Sequence, residues 1–371
     1  MEDYAKRYRL MCPGPVNVSQ RVLDTMIASE IGHRECEFSA LLRDIQQTCL
    51  TLMGLADKNY SVVVLTGSGS AANEAVLTSA IQPQHHVLSL ATGEFGRRLG
   101  DISKIYNSNT TLHAQEWGSP LDLDTVENIL QNHPYDWVTM VHHETSTGEL
   151  QPVKAVGNLC HKYGAKLFVD AVSAFMADPL DLDDAHVDFM STSSGKALCM
   201  PPGLSLVVGK TDEFKKLSDY PVRNYYLSLA RHFAFAHDKL QAPNTPAVHL
   251  FIALHEALKM IAEEGVQNRL SHQTKKAQLF RTRLKDIGLT LFHPDHVLSN
   301  AVSTINLPDG TSFDLLRAAL RDRGFIVYGG KGPLADRIFQ VSTMGAVSFD
   351  DIEALVRAIQ DSIACANHSA A

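Results

Sequence analysis

The sequence predicts an α/β fold: a mainly parallel sheet followed by a smaller α+β unit. Three observations carry this expectation. Short, almost continuously apolar runs recur through the first two thirds of the chain, helical patterns separate them, and after Thr245 the texture changes to long amphipathic helices with short strands between. Near-continuous apolarity marks strands buried on both faces. Alternation with helices reads as βαβ units.

The elements follow in order. SVVVLTG (61–67) is the first strand, and small residues then lead into a helix over 70–81. HVLSLAT (86–92) is the second strand; a helix over 123–131 precedes DWVTMVHH (136–143), and a helix over 153–163 precedes AKLFVDAV (165–172). DFMSTSS (188–194) and LSLVVG (204–209) complete six strand-like runs. Beyond Thr245, AVHLFIALHEALKMIAEEG keeps apolar residues at helical spacing over about five turns and ends at Gly265, a C-cap signal. A second helix over 266–287 leads into NAVSTINLP (strand), SFDLLRAALRDRG (helix), FIVYGG and RIFQVSTMG (strands) and a last helix over 348–366. The expected division is a large domain over 1–250, N-terminal segment included, and a small C-terminal α+β domain over 251–371. There is no internal repeat and no low-complexity segment.

Composition narrows the function. Of 371 residues 45% are hydrophobic, too many for an intrinsically disordered chain. Thirty-three Lys and Arg against 41 Asp and Glu leave a net charge of −8, which argues against a nucleic-acid polyanion as the main partner. Cys12, Cys36, Cys49, Cys160, Cys199 and Cys365 form no CxxC pair and no metal-ligand spacing, as expected for reduced thiols in the cytoplasm. The opening MEDYAKRYRLMCPGP has no apolar run of signal-peptide length. The most apolar stretch, 204–208, is far below the roughly 20 residues of a membrane span. The paired histidines His85-His86 and His142-His143 alternate across strand faces, and no third ligand stands at metal-site spacing, so no metal is expected. The acidic run DLDDAHVD (181–188) reads as a solvated loop.

Three places carry candidate chemistry. In TGSGSAANEAV a strand ends, small residues turn and a helix begins, so Ser68, Gly69 and Ser70 offer backbone amides and hydroxyls to an anion. The motif is neither GxGxxG nor a P-loop, and a plain strand–helix turn with serine caps is the competing reading. Asp170 closes the apolar strand LFVD, where open α/β sheets gather their ligands. A carboxylate there suits a cationic ring nitrogen; an ordinary loop aspartate is the alternative. Lys196 lies between a strand and the rigid Pro201-Pro202-Gly203 turn. That setting suits a held, desolvated amine of lowered pKa rather than the usual surface lysine.

With HHETSTGELQP (142–152) between the phosphate-like turn and the Asp170–Lys196 pair, the chain resembles the class V aminotransferases of the fold-type I pyridoxal phosphate enzymes. The nearest subgroups are the 2-aminoethylphosphonate–pyruvate and alanine/serine–glyoxylate transaminases. The resemblance runs from PGPVNVS (13–19) and GHRECEFSALLRDIQ (32–46) to IAEEGV (261–266) and FIVYGGK (325–331). It implies a seven-stranded, mainly parallel sheet and pyridoxal 5'-phosphate as cofactor. Lys196 is then the lysine that holds the cofactor covalently and, once released, moves the proton. Asp170 would keep the pyridine nitrogen protonated, and Ser68, Gly69 and Ser70 would cradle the phosphate. Phe95 in ATGEFGRR would stack on the ring, Val172 would pack its opposite face, and Thr145 in HETSTG would sit beside the ring oxygen. Thr245 in APNTPAV would reach the phosphate of the neighbouring subunit, placing the site at a homodimer interface.

One departure stands out. Where the family carries an arginine that grips the substrate anion, in a stretch resembling FRIGNIG, this chain reads FQVSTMG with Gln340 in the arginine's place. Glutamine has no charge and no ion-pairing fork. Gln340 and Arg34 are the candidates for substrate binding, since Arg337 in an extended strand would face the other way. A helix cap or inter-subunit ion pair is the competing reading for Arg34. Tyr225 and Tyr226 are candidates for the pocket or for apolar packing, and Cys199 reads as a small buried apolar residue.

The expected activity is transfer of an amino group between a small amine or amino acid, 2-aminoethylphosphonate-like or alanine-like, and a 2-oxo acid such as pyruvate or glyoxylate. Gln340 keeps a lyase, decarboxylase, epimerase or cyclase on the same scaffold as the alternative. A non-catalytic binding protein is opposed by the intact Lys196, Asp170 and GSGS turn. A nicotinamide enzyme is opposed by the missing glycine fingerprint.

Overall fold

The computed structural model describes residues 8–28 and 30–369. Seven strands form the main sheet: β1 (Tyr60–Thr66), β2 (Val87–Ala91), β3 (Thr110–Ala114), β4 (Trp137–Val141), β5 (Lys166–Asp170), β6 (Phe189–Ser193) and β7 (Leu204–Lys210). Their order is β1-β7-β6-β5-β4-β2-β3. Strand β7 runs antiparallel to both β1 and β6, and every other pairing is parallel.

Six of the seven strands coincide with the apolar runs of the sequence. The seventh, β3, reads TTLHA, pairs only with β2 at the sheet edge and is mostly half-exposed. An edge strand needs no continuous apolar run, which is why this one carries no such signal. The interior strands β2, β4 and β6 are buried along their whole length. Along β1, Val62 and Val64 enter one apolar cluster while Val63 and Leu65 enter another, so helices cover both faces of the sheet.

A second sheet lies toward the C-terminus. β8 (Val302–Asn306), β9 (Tyr328–Gly329) and β10 (Ile338–Ser342) pair antiparallel in the order β8-β10-β9. Helices Val266–Asp286, Phe313–Asp322 and Phe349–Ser369 accompany it, and Phe280, Leu316, Phe339 and Ile352 share its core. The apolar cores change hands at Gly265: Phe251, Leu254 and Ile261 of helix Val248–Glu264 pack with the large sheet, whereas Phe280 and Leu284 of the next helix pack with the small one. Gly265 caps both helices at φ +82°, a conformation that glycine adopts without a Cβ penalty. The N-terminal residues Arg9–Leu10 pair parallel with Phe325–Ile326, and Met11 enters the core of the small sheet.

The acidic run 181–188 departs from a simple solvated loop. Asp188 is buried, accepting the Leu167 amide and the Lys210 ammonium at 2.8 Å each, and Asp181 accepts the amides of Asp183 and Asp184 at 3.0 and 3.1 Å. Cys12, Cys36, Cys49, Cys160 and Cys199 are free thiols; the Cys365 side chain lies outside the described residues. Among the described residues no helix is long and apolar enough to cross a membrane, and no group of three or more His, Cys, Asp or Glu is placed to hold a metal ion.

Candidate active site

The carboxyl ends of β1, β4, β5 and β6 open onto one cavity of about 260 Å³. Ser68, Gly69, Ser70, Phe95, Thr145, Asp170, Val172 and Lys196 line it; Arg34, Thr245 and Gln340 do not. The sheet order explains the gathering. β6 and β5 are neighbours, so Lys196, three residues beyond β6, and Asp170, the last residue of β5, face the same opening.

Lys196 Nζ donates to the carbonyl of Pro13 at 2.5 Å. The next residue, Gly14, leaves the lysine its room, because a Cβ there would stand 2.3 Å from Nζ. Burial lowers the Lys196 pKa to about 8; Cys12 and Asp170 pull it back up, while Lys331 and Arg98 push it further down. The sequence setting called for a desolvated amine, and this is one.

Asp170 is held from two sides. Its carboxylate accepts the Val172 amide at 2.9 Å and the Asn73 side-chain amide at 2.6 Å, and Asn73 in turn accepts from the Ser191 hydroxyl at 2.5 Å. Burial raises the Asp170 pKa, while those two hydrogen bonds and the nearby Arg98 and Lys196 hold it down. Helix Gly69–Ser79 starts beside it. Ser68 occupies the N-cap position but makes no side-chain capping bond. Its hydroxyl and the helix N-terminus are therefore available to an anion. A Cβ on Gly69 would lie 2.6 Å from Val172 Cγ2, so only glycine fits there.

Three positioning groups carry no signal in the sequence. Glu144 is fully buried and accepts the amides of Phe95 at 3.2 Å and Gly96 at 2.9 Å, so it caps the first turn of helix Glu94–Tyr106 and fixes Phe95. The cap comes from about fifty residues away, where no local capping pattern reveals it. His143 and Ser173 are the second and third. The Thr145 and Ser173 hydroxyls lie 2.7 Å apart, and Ser173 Oγ lies 2.9 Å from His143 Nδ1. His143 lines the cavity, while His142 on the opposite face lines a different one. Burial pushes the His143 pKa down to about 3, which keeps the ring neutral, and its buried Nε2 has no protein partner.

The two substrate candidates are placed elsewhere. Gln340, in the middle of β10 and buried, donates its amide to the Thr145 carbonyl instead of facing the cavity. Arg34 donates to the Ala242 carbonyl at 2.7 Å and to the Gln241 side chain at 3.0 Å. Thr245, three residues on, is exposed.

Other expectations are corrected. Tyr225 and Tyr226 neither line the cavity nor pack in the core, being 69% and 47% exposed. Cys199 is half-buried at φ +58°, and Arg269 donates to its sulfur at 2.7 Å, so its surroundings are charged rather than apolar. Arg98, unremarked in the sequence, lines the cavity with its guanidinium 4.3 Å from the centre of the Phe95 ring.

A family model described as aminotransferase class-V matches residues 20–365. An uncharacterized aminotransferase of Methanocaldococcus jannaschii is 33% identical over 364 residues, covering 97% of this chain and 94% of that protein. The 2-aminoethylphosphonate–pyruvate transaminase of Salmonella schwarzengrund is 30% identical over 367 residues, covering 96% and 98%. Among solved structures, alanine–glyoxylate aminotransferase from Nostoc sp. superposes with a TM-score of 0.91 at 30% identity, covering 96% of this chain and 95% of that one. With the mainly parallel seven-stranded sheet and the small C-terminal sheet, these matches make the chain a fold-type I member of the class V aminotransferases, a pyridoxal 5'-phosphate-dependent family.

Proposed function

We propose that the chain transfers an amino group between a small amine or amino acid bearing an anionic group and a 2-oxo acid such as pyruvate or glyoxylate. The observation that carries this reading is Lys196, an amine of pKa about 8 on the same cavity as the buried Asp170 carboxylate.

The residues present fit pyridoxal 5'-phosphate. Asp170 keeps acceptor capacity beyond its bonds to Val172 and Asn73, which suits a ring N–H. Ser68, Gly69 and Ser70 offer a helix N-terminus and free hydroxyls to a phosphate. The half-buried Phe95 and Val172 offer apolar surface to the two faces of a flat ring, and Thr145 offers a hydroxyl beside it. Bound there, the cofactor would supply a carbonyl carbon at which the donor amine displaces Lys196, and a cationic ring to draw electrons from the donor carbon. Lys196 Nζ takes and returns the proton, being near neutrality in pKa and held in place by Pro13. Two half-reactions give ping-pong kinetics.

Aminoethylphosphonate with pyruvate is the first substrate pair to try, on the likeness to the Salmonella transaminase. A homodimer is part of the proposal: Thr245 is exposed on the single chain, and Val222, Tyr225 and Tyr226 add a locally exposed apolar surface. Free thiols at Cys12, Cys36, Cys49, Cys160 and Cys199 suit a reducing cytoplasm.

The test is a titration of cofactor-loaded protein with aminoethylphosphonate, alanine or other amines and no oxo acid, followed by absorbance. Replacement of the near-visible band by a near-ultraviolet one, reversed by pyruvate or glyoxylate, supports the reading. Return to the starting spectrum with a released product means a lyase, decarboxylase, epimerase or cyclase. Failure to take up the cofactor refutes both.

A further inference from the structure

We infer that His143 is a positioning residue: acting through Ser173, it fixes the Thr145 hydroxyl as a hydrogen-bond donor into the cavity. This rests on the functional reading above and adds the residue that decides which way that hydroxyl points.

A hydroxyl both donates and accepts, so Thr145 by itself has no fixed polarity toward a bound ring. The polarity is set behind it. Ser173 Oγ, 2.7 Å away, is the one partner of the Thr145 hydroxyl among the described residues. Ser173 Oγ lies in turn 2.9 Å from His143 Nδ1. All three side chains are buried, and all three residues line the cavity.

The imidazole orders this chain. Burial pushes the His143 pKa down to about 3, so the ring is neutral and carries one proton. Nε2 is buried without a partner, whereas Nδ1 faces Ser173. A buried N–H without an acceptor is rarer than an acceptor left unused, so the proton belongs on Nδ1. Nδ1–H then donates to Ser173 Oγ. Ser173 passes its own hydrogen to Thr145 Oγ1, which at 2.7 Å is nearer than its other acceptor, the His143 carbonyl at 3.4 Å. Thr145 keeps its hydrogen for the cavity. With the proton on Nε2 every bond reverses, and Thr145 would offer the cavity lone pairs alone.

A fixed donor suits an anionic oxygen, and pyridoxal 5'-phosphate carries a phenolic one on its ring. A neutral His143 does not titrate near neutrality, so the polarity does not change with pH.

The experiment reads the tautomer directly, by nitrogen-15 NMR of cofactor-loaded protein with labelled histidine. The His143 signals are assigned by their loss in His143→Asn, or by their shift in Ser173→Ala if that variant does not fold. A proton on Nδ1 that persists across the neutral range is expected. A proton on Nε2, or a ring that titrates there, overturns the proposal.

Absorbance gives the second readout. A donor draws charge off the ring oxygen, so the nitrogen joining Lys196 to the cofactor holds its proton less tightly. In His143→Leu, Ser173 Oγ no longer accepts from the ring and competes for the Thr145 hydrogen. The pH midpoint of the near-visible band is expected to rise by about half a unit to one unit, the worth of one hydrogen bond. His143→Asn, whose side-chain amide puts an N–H where Nδ1 was, is expected to restore it. In a Ser173→Ala background His143→Leu is expected to change nothing further. An unmoved midpoint in His143→Leu, or the same rise in both backgrounds, overturns the proposal. Failure to take up the cofactor refutes the functional reading instead, and the tautomer of the cofactor-free protein then decides the polarity alone.

Discussion

The side-chain amide of Gln340 donates to the main-chain carbonyl of Thr145, a bond between residues 195 positions apart that ties the centre of the small sheet to the hairpin lining the cavity. Gly148 and Thr304 reinforce the tie. A Cβ at Gly148 would stand 2.4 Å from Thr304 Oγ1, and Ser299 donates its amide to the Gly148 carbonyl at 3.0 Å. Gln340 thus braces the site from behind.

Gln340→Ala leaves the buried Thr145 carbonyl without that donor. The expected cost is about 1–3 kcal/mol, read as a lower melting temperature with and without substrate. A variant of unchanged stability whose donor KM alone rises would make Gln340 a substrate ligand after all.

Lys196→Met tests the desolvated amine through its linkage to pH. In the folded, cofactor-free protein the amine titrates near 8 against an ordinary value of 10.5. Below about 8 both folded and unfolded chains carry the proton, and folding bears the full cost of a buried cation. Between about 8 and 10.5 the unfolded chain binds more protons than the folded one, so stability rises with pH. Methionine removes the charge at similar length. The variant is therefore expected to melt above the parent at pH 7, with the gap closing as pH rises through that window. A gap independent of pH contradicts a desolvated Lys196.

Asp170 and Lys196 were legible as candidates in the sequence because one ends and the other closely follows a strand whose apolar run marks it as buried, and parallel sheets present their ligands at those ends. Strand β3 was not, because an edge needs no apolar run. Nor were the contacts that position the site. Glu144 caps a helix about fifty residues upstream, His143 reaches Thr145 only through Ser173, and Arg98 lies over the Phe95 ring at the cavity. Local pattern reports burial and turns; it does not report which distant side chain completes a hydrogen bond. The same limit made Gln340 read as a substrate contact when its amide was already engaged.

Glu144→Ala removes the distant cap. The Phe95 and Gly96 amides lose their acceptor in a buried setting, at a cost of about 1–3 kcal/mol. Because Phe95 lies in the first turn of that helix, cofactor affinity is expected to fall as well, read by equilibrium dialysis. A variant that loses stability and keeps cofactor affinity would separate the cap from the placement of the ring.

Gly69→Ala probes the closest approach in the site. The new methyl would stand 2.6 Å from Val172 Cγ2 and 3.0 Å from Cγ1, well inside van der Waals contact. Valine is stiff about χ1 and cannot swing both methyls away. Either the helix start or the Asp170–Val172 turn must therefore shift. The helix start carries Ser68 and Ser70, and the turn carries the amide that Asp170 accepts, so either movement weakens cofactor binding. Overpacking of this kind costs about 1–3 kcal/mol. Val172→Ala opens the space, so the Gly69→Ala/Val172→Ala pair is expected to recover cofactor affinity beyond the sum of the two single changes. A double-mutant cycle in dissociation constants measures that coupling. Additive losses would mean that the two residues do not touch in solution and that the glycine serves the backbone alone.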